Sequence, residues 1–132
     1  MGLDVSHNAF RASYSAFNRL RQVVCKAVGG SYPPHEDPNL DPDSWYWEGD
    51  DYSQETHPGL HEFLSHSDCG GEITPENCIV VASELAALLP AVDSEGLGGG
   101  HIRRDGGYGQ VLRRFIAGCW AAAAANEPLT FD

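Results

Sequence analysis

Apolar residues recur at the spacing of an amphipathic helix in four stretches of the chain. The predicted helices cover residues 13–28, 58–65, 75–89 and 107–125. The pattern also permits the first helix to begin as early as Asn8, and Gly29 is expected to end it. Pro58 suits the opening turn of the second helix, and Pro90 is expected to end the third. The pattern therefore predicts about four helices.

Both ends of the chain show a different pattern. Leu3 to Ser6 alternate between apolar and polar residues, and Leu129 to Phe131 form a short apolar stretch after the last helix. We expect these two segments to pair as a minor two-stranded sheet. The predicted fold class is mainly α (α+β), with this sheet joining the termini of a single domain, residues 1–132.

Two stretches are predicted to be loops. Residues 31–58 contain five prolines and eight acids, which exclude a helix or a central strand. The same stretch carries Trp45, Tyr46 and Trp47, whose rings need apolar cover, so we expect a long acidic loop packed onto the domain. Residues 94–107 are rich in glycine and are expected to form a flexible loop.

The charge distribution restricts the function. The net charge is −11 and the chain has only eight Lys and Arg residues, which argues against binding to a nucleic acid polymer. These basic residues lie in two groups, one consisting of Arg11, Arg19, Arg21 and Lys26 and the other of Arg103, Arg104, Arg113 and Arg114. If the two groups meet, they form a positive pocket on an acidic protein.

Such a pocket suits a nucleotide, because guanidinium groups bind phosphate and aromatic rings stack on a base. The predicted ligand-binding residues are His7, Arg11, Tyr14, Arg21, Trp45, Trp47, His66, Asp68, His101, Arg103, Arg104 and Tyr108. The alternative interpretation is that the arginines pair with carboxylates of the middle segment on the surface.

The loop between the second and third helices offers His, Asp, Cys and Glu side chains as potential metal ligands. Its sequence is His66-Ser67-Asp68-Cys69-Gly70-Gly71-Glu72. Its spacing lacks the carboxylates of a calcium loop and the second ligand pair of a zinc site. We therefore expect no metal and no cofactor. His66 with Asp68 is a candidate catalytic pair if the protein is an enzyme. The alternative is that these two side chains cap helix ends and satisfy backbone groups of the loop.

The four cysteines are expected to be reduced thiols. No signal peptide precedes them, and Cys25, Cys78 and Cys119 lie on or beside apolar stripes, where a buried thiol is usual. No apolar run reaches the roughly 20 residues of a membrane span. These features predict a cytoplasmic protein that does not enter the membrane.

Five blocks occur along the chain: GLDVSHNAF, YSAFNRLR, LHEFLSHSDCGGEI, GHIRR and EPLTFD. Together they resemble a family of small acidic proteins encoded by phages and prophages. In that family the central block reads HSDCDGEI, and Gly70 replaces its second acid here. The resemblance implies a phage setting in the cytoplasm of a host bacterium, and it assigns no chemistry.

The leading hypothesis is a phage counter-defence protein that binds and sequesters a nucleotide-derived immune signal, such as a cyclic nucleotide or an ADP-ribose derivative. We expect a homo-oligomer. One alternative is a phosphodiesterase-like enzyme that degrades the same kind of signal. Another is an acidic interaction module whose 31–58 loop docks onto a host defence protein.

Overall fold

The computed structural model describes residues 2–29, 56–67 and 70–132. Most of the 31–58 segment, with Trp45 and Trp47, lies outside the described residues, as does Asp68, so the predictions for them stay predictions. In chain order the elements are β1 (Gly2–Val5), β2 (Phe10–Ser13), α1 (Tyr14–Ala27), α2 (Pro58–Ser65), β3 (Glu72–Ile73), α3 (Pro75–Ala86), α4 (Leu89–Asp93), α5 (Gly100–Arg104), α6 (Tyr108–Ala124) and β4 (Leu129–Thr130). The predicted class, mainly α with a minor sheet, is confirmed.

The strands pair differently from the prediction. β1 forms an antiparallel hairpin with β2, with Asp4 opposite Arg11. The C-terminal β4 pairs with β3. β1 meets the C-terminus at a single bridge between Val5 and Phe131. The termini are therefore neighbours, but each strand takes its regular partner from another part of the chain.

The hairpin also fixes the start of α1. His7 and Asn8 adopt left-handed backbone conformations, with φ of 56° and 59°, and these reverse the chain between the two strands. A helix therefore cannot begin at Asn8. Instead Ser13 caps α1, because its hydroxyl oxygen accepts a hydrogen bond from the backbone N–H of Ala16 at 3.1 Å.

A carboxylate from another helix caps α2. Glu84 on α3 accepts hydrogen bonds from the backbone N–H groups of Gly59 at 2.8 Å and Leu60 at 3.1 Å. A Cβ atom at Gly59 would lie 2.7 Å from the carbonyl oxygen of Val80. Glycine therefore allows the start of α2 to approach α3 closely enough for Glu84 to bind the first-turn N–H groups.

Pro90 does not end α3 as predicted. α3 already ends at Ala86, and Pro90 lies in the first turn of the short helix α4. A proline fits there because the first helical N–H groups have no partner within the helix.

The glycine-rich loop contains a second short helix that the sequence pattern did not predict. α5 comprises residues 100–104, and the buried side chain of Ile102 anchors it to the core. One turn with a single buried apolar residue is too short to produce a helical pattern. The described part of the chain therefore contains the four predicted helices and two additional short helices, α4 and α5.

A cluster of phenylalanine rings lies at the centre of the core. The ring centroid of Phe17 is 4.9 Å from that of Phe10, 5.7 Å from Phe63 and 6.1 Å from Phe131. Around this cluster α3 and α6 pack on each other more extensively than any other two elements. Within the described ranges, no helix has both the length and the apolar character needed to cross a bilayer.

Three cysteines, Cys25, Cys78 and Cys119, are buried free thiols, as predicted. Burial raises the pKa of Cys25 from 9.0 to about 11. A hydrogen bond with Cys78 and burial together raise the pKa of Cys119. Both thiols therefore stay protonated at neutral pH, which makes them poor nucleophiles.

Candidate functional site

An open groove of about 630 Å³ lies between the β1–β2 hairpin and α5. We call it the hairpin groove, and its lining residues are Gly2, Leu3, Asp4, Arg11, Ala12, Ser13, His101 and Arg104. Ligand sites usually have volumes of roughly 300–1,000 Å³, so the groove is large enough for a mononucleotide.

The hairpin supplies one wall through the alternation of its strands. Leu3 and Val5 are buried, so Asp4 between them points away from the core. Arg11 lies directly opposite Asp4 in the register and is exposed. Cross-strand neighbours on one face are about 5 Å apart at their Cβ atoms, so an anionic and a cationic side chain stand together here.

α5 supplies the other wall, and His101 ties it to the hairpin. The backbone N–H of Ser13 donates to Nδ1 of His101 at 3.0 Å, although the two residues are far apart in sequence. Because Nδ1 accepts, the proton of the neutral ring is on Nε2. Nε2–H is then a hydrogen-bond donor held in a fixed orientation beside the groove.

Arg104 completes the basic part of the groove. Its Nε and Nη2 donate to the carboxylate of Asp105 at 3.2 and 3.3 Å, and 59% of its side chain is exposed. An exposed ion pair of this kind contributes little free energy, commonly below about 1 kcal/mol. The guanidinium can therefore exchange Asp105 for an anionic ligand at little cost.

Other predicted ligand residues lie outside this groove. Arg103 is exposed on α5 beside Arg104, and His7 lies 3.4 Å from a carboxylate oxygen of Glu127. Tyr14 and Tyr108 are partly buried against the core, which uses their rings for packing. The structure thus brings Arg11, His101 and Arg104 together, from both predicted basic groups. The remaining described members of the set are distributed over other sites.

Arg21 and His66 form a separate arrangement. The guanidinium of Arg21 is buried, lies 4.4 Å from the ring centroid of Phe17 and donates to the backbone carbonyl of His66. The ring of His66 stacks on Phe131 at 4.1 Å. Its Nδ1 lies 2.8 Å from the carbonyl oxygen of Ser67 and its Nε2 lies 3.1 Å from that of Glu72.

These contacts favour a structural role for His66. A neutral imidazole donates one of the two carbonyl hydrogen bonds, and an imidazolium donates both. In either form the ring closes the loop between α2 and β3, as the backbone-satisfying interpretation predicts. Among the described residues, no group of His, Cys, Asp and Glu side chains is arranged to hold a metal ion.

A second groove, of about 430 Å³, lies between α2 and α3. It is lined by His61 and Glu62 together with Ser65, Asn77 and neighbouring residues. Burial raises the pKa of Glu62, and this is partly offset by His66 and by a hydrogen bond from Asn77. This groove lacks a guanidinium group in its lining, so it offers less to an anion than the hairpin groove.

Sequence reasoning did not identify Asp4 and Ser13 as groove residues. The signal for Asp4 is its polar position between two buried apolar residues of β1. Its pairing with Arg11, however, depends on a hairpin that was not predicted. The hydrogen bond between Ser13 and His101 joins residues that are 88 positions apart, so the pattern of neighbouring residues cannot predict it.

No protein-family model, curated protein or solved structure matches this chain.

Proposed function

We propose that this protein binds an anionic, nucleotide-type small molecule in the hairpin groove. The observation that carries the proposal is the convergence of Arg11, His101 and Arg104 on one groove of a chain whose net charge is −11. The lining of the groove has two guanidinium groups and one carboxylate, so positive groups outnumber negative ones there although the protein as a whole is acidic, and a guanidinium group favours binding of a phosphate.

Each group has a distinct role in this proposal. The two guanidinium groups bind phosphate oxygens through charge-assisted hydrogen bonds, and Nε2–H of His101 donates a further bond. Asp4 provides the groove with a side-chain acceptor, which suits a ribose hydroxyl or a base amino group. This mixture of donors and one anionic acceptor suits a nucleotide, which presents phosphate oxygens and hydroxyl or amino donors at separate positions of one molecule.

The contacts support binding without cleavage. His101 uses Nδ1 to accept from the hairpin backbone, and protonation of Nδ1 would break that bond. This arrangement suits a fixed donor better than a proton shuttle. His66, the alternative catalytic residue, has both ring nitrogens directed at backbone carbonyls.

We place this binding in a phage setting, with sequestration of a nucleotide-derived immune signal in the host cytoplasm as its purpose. The support for this step is the resemblance of the five sequence blocks to small phage and prophage proteins. Cyclic nucleotides and ADP-ribose derivatives both combine phosphate with ribose and base, which the hairpin groove is suited to bind.

Calorimetric titration with a panel of linear nucleotides, cyclic nucleotides and ADP-ribose tests the proposal. We expect at least one member of the panel to bind, and Arg11→Gln or Arg104→Gln to weaken it about tenfold, equivalent to about 1.4 kcal/mol. Arg103→Gln is the matched control, because it removes the same charge from the adjacent exposed position of α5. It is expected to change the affinity less than about twofold.

The outcome of this titration separates the hypotheses. If Arg103→Gln and Arg104→Gln lower the nucleotide affinity equally, the effect of the charge is general, and this result would contradict a site in the groove. Denaturing the complex and analysing the released molecule then distinguishes sequestration from hydrolysis, since a sequestered nucleotide is recovered intact.

A further inference from the structure

Two buried thiols meet where α3 packs on α6. Cys78 lies near the start of α3 and Cys119 lies in the second half of α6, and both residues are fully buried. The S–H group of Cys119 donates a hydrogen bond to Sγ of Cys78. α3 and α6 pack on each other more extensively than any other two elements, so the core itself holds the two sulfur atoms together.

The sulfur of Cys78 also contacts the ribbon formed by β3 and β4. Its S–H donates to the carbonyl oxygen of Ile73 at 3.7 Å, and its Sγ accepts a hydrogen bond from the backbone N–H of Leu129. Ile73 and Leu129 lie opposite each other in the register of the ribbon. Two donors are therefore directed at Sγ of Cys78, and both remain to stabilise its thiolate when the proton is lost.

The two thiols consequently differ in acidity. The hydrogen bond from Cys119 lowers the pKa of Cys78, burial opposes this shift, and the N–H of Leu129 adds to it. The carboxylates of Glu62 and Glu76 oppose it more weakly. The same thiol–thiol hydrogen bond raises the pKa of Cys119. Because the thiolate is the nucleophilic form, Cys78 is the thiol that reacts first.

Burial restricts the oxidants that can reach this pair. A molecule that enters the core must be small and uncharged, which fits hydrogen peroxide and disfavours a bulky charged disulfide. On one side the pair is covered by the β3–β4 ribbon, which consists of only two residue pairs. Local openings of so small a unit require less free energy than unfolding of the whole domain.

We propose that Cys78 and Cys119 are a peroxide-reactive pair that forms a disulfide between α3 and α6. In the first step, Sγ of Cys78 attacks one oxygen of hydrogen peroxide. The S–O bond forms, the O–O bond breaks, and the second oxygen leaves as hydroxide, which takes up the proton released by Cys78 and becomes water. Cys78 is then a sulfenic acid.

Cys119 completes the reaction. Its Sγ attacks Sγ of Cys78, the S–S bond forms and the S–O bond breaks. The hydroxyl group leaves with the proton of Cys119 as a second water. Overall, the two thiols lose two electrons and two protons, and one peroxide is reduced to two waters. This inference does not rest on the ligand of the hairpin groove.

Peroxide treatment of the folded chain tests the proposal, with alkylation of the remaining thiols and mass spectrometry of the peptides. We expect a peptide pair joined through Cys78 and Cys119, about 2 Da lighter than the two reduced peptides because two hydrogens are lost. Cys25 on α1 is the internal reference. Burial raises the pKa of Cys25 to about 11, so we expect it to be oxidised at least about tenfold more slowly than Cys78.

Two variants make the test specific. In Cys119→Ala the second thiol is absent, so we expect the reaction to stop at the sulfenic acid of Cys78, which dimedone traps. Cys25→Ala is the matched control, because it removes a buried thiol from another helix and should leave the yield of the disulfide unchanged. Circular dichroism checks that both variants are folded, and the measurement on the wild-type chain does not depend on them.

Three results would overturn the proposal. The first is a folded chain in which Cys78 is not oxidised by peroxide. The second is oxidation of Cys78 and Cys25 at the same rate, which would show that the reaction needs unfolding of the whole domain. The third is a disulfide from Cys78 to Cys69 or to another molecule in place of Cys119.

Discussion

The buried guanidinium of Arg21 links α1 to the loop that follows α2. Its position seven residues after Tyr14 predicts a place at the buried edge of α1, and its side chain is only 4% exposed. The partners of its guanidinium, the ring of Phe17 and the carbonyl of His66, could be predicted only in part. Phe17 is one helical turn away, whereas His66 comes from another element. Arg21 was expected to bind ligand phosphate, but its described contacts are with the protein itself.

Cys25 provides a prediction at the same scale. Its pKa is about 11 in the folded chain and 9.0 as an ordinary thiol, so the folded state binds the proton more tightly. The stability from this group is fully present below pH 9 and is lost as the pH rises towards 11. We expect Cys25 to account for a loss of about 2 kcal/mol in the free energy of unfolding by pH 11.

Urea unfolding of the wild type and of Cys25→Ala under reducing conditions measures this loss. At pH 7 the variant should be less stable by about 1 kcal/mol, because a small cavity replaces the sulfur. That difference should shrink and then reverse between pH 9 and 11. Parallel pH profiles for the two proteins would show that Cys25 ionises as easily in the folded as in the unfolded chain.

At the scale of elements, the sequence predicted the helices whose first turns are capped by a neighbouring residue. Ser13 and Thr74 both cap helices with their hydroxyl oxygens, to Ala16 and Asn77 respectively. Elements that depend on distant residues were missed. β2 needs β1 as its partner, and α5 needs the core contact of Ile102. Neither requirement is visible in a window of neighbouring residues.

Gly118 tests how closely α6 packs on the hairpin. A Cβ atom there would lie 2.7 Å from Cα of Ala9, in the turn between β1 and β2. Helix propensity alone predicts that Gly118→Ala stabilises α6 by about 1 kcal/mol. Overpacking costs about 1–3 kcal/mol, so we expect net destabilisation of up to about 2 kcal/mol. Thermal or urea unfolding measures whether the substitution lowers or raises the free energy of unfolding.

A second substitution distinguishes packing from other causes. Ala9→Gly removes the methyl group that faces Gly118, so the double variant should be more stable than the sum of the two single changes implies. If Gly118→Ala raises the stability, the helix is not pressed against the turn and the packing account is wrong.

At the scale of the whole molecule, the two predicted basic groups meet only in part. Arg11 and Arg104 line the hairpin groove, whereas Arg113 pairs with Asp93 at 2.7 Å and Arg114 binds the backbone and side chain of Asn8. The ion pair of Arg113 with Asp93 agrees with the surface-pairing interpretation, whereas ligand binding by Arg11 and Arg104 stays a prediction. Charge grouping along the sequence could indicate a basic site, but it could not show which arginines the fold uses for its own contacts.

Amide chemical-shift mapping tests the central claim, ligand binding in the hairpin groove, most directly. A nucleotide that binds in the calorimetric panel is added to the isotope-labelled chain. We predict that the largest amide shifts fall in residues 2–4, 11–13 and 101–104. Largest shifts at residues 58–65 and Asn77, in the second groove, would contradict the claim. So would the absence of any shift at about 1 mM nucleotide, since specific binding sites saturate well below that concentration.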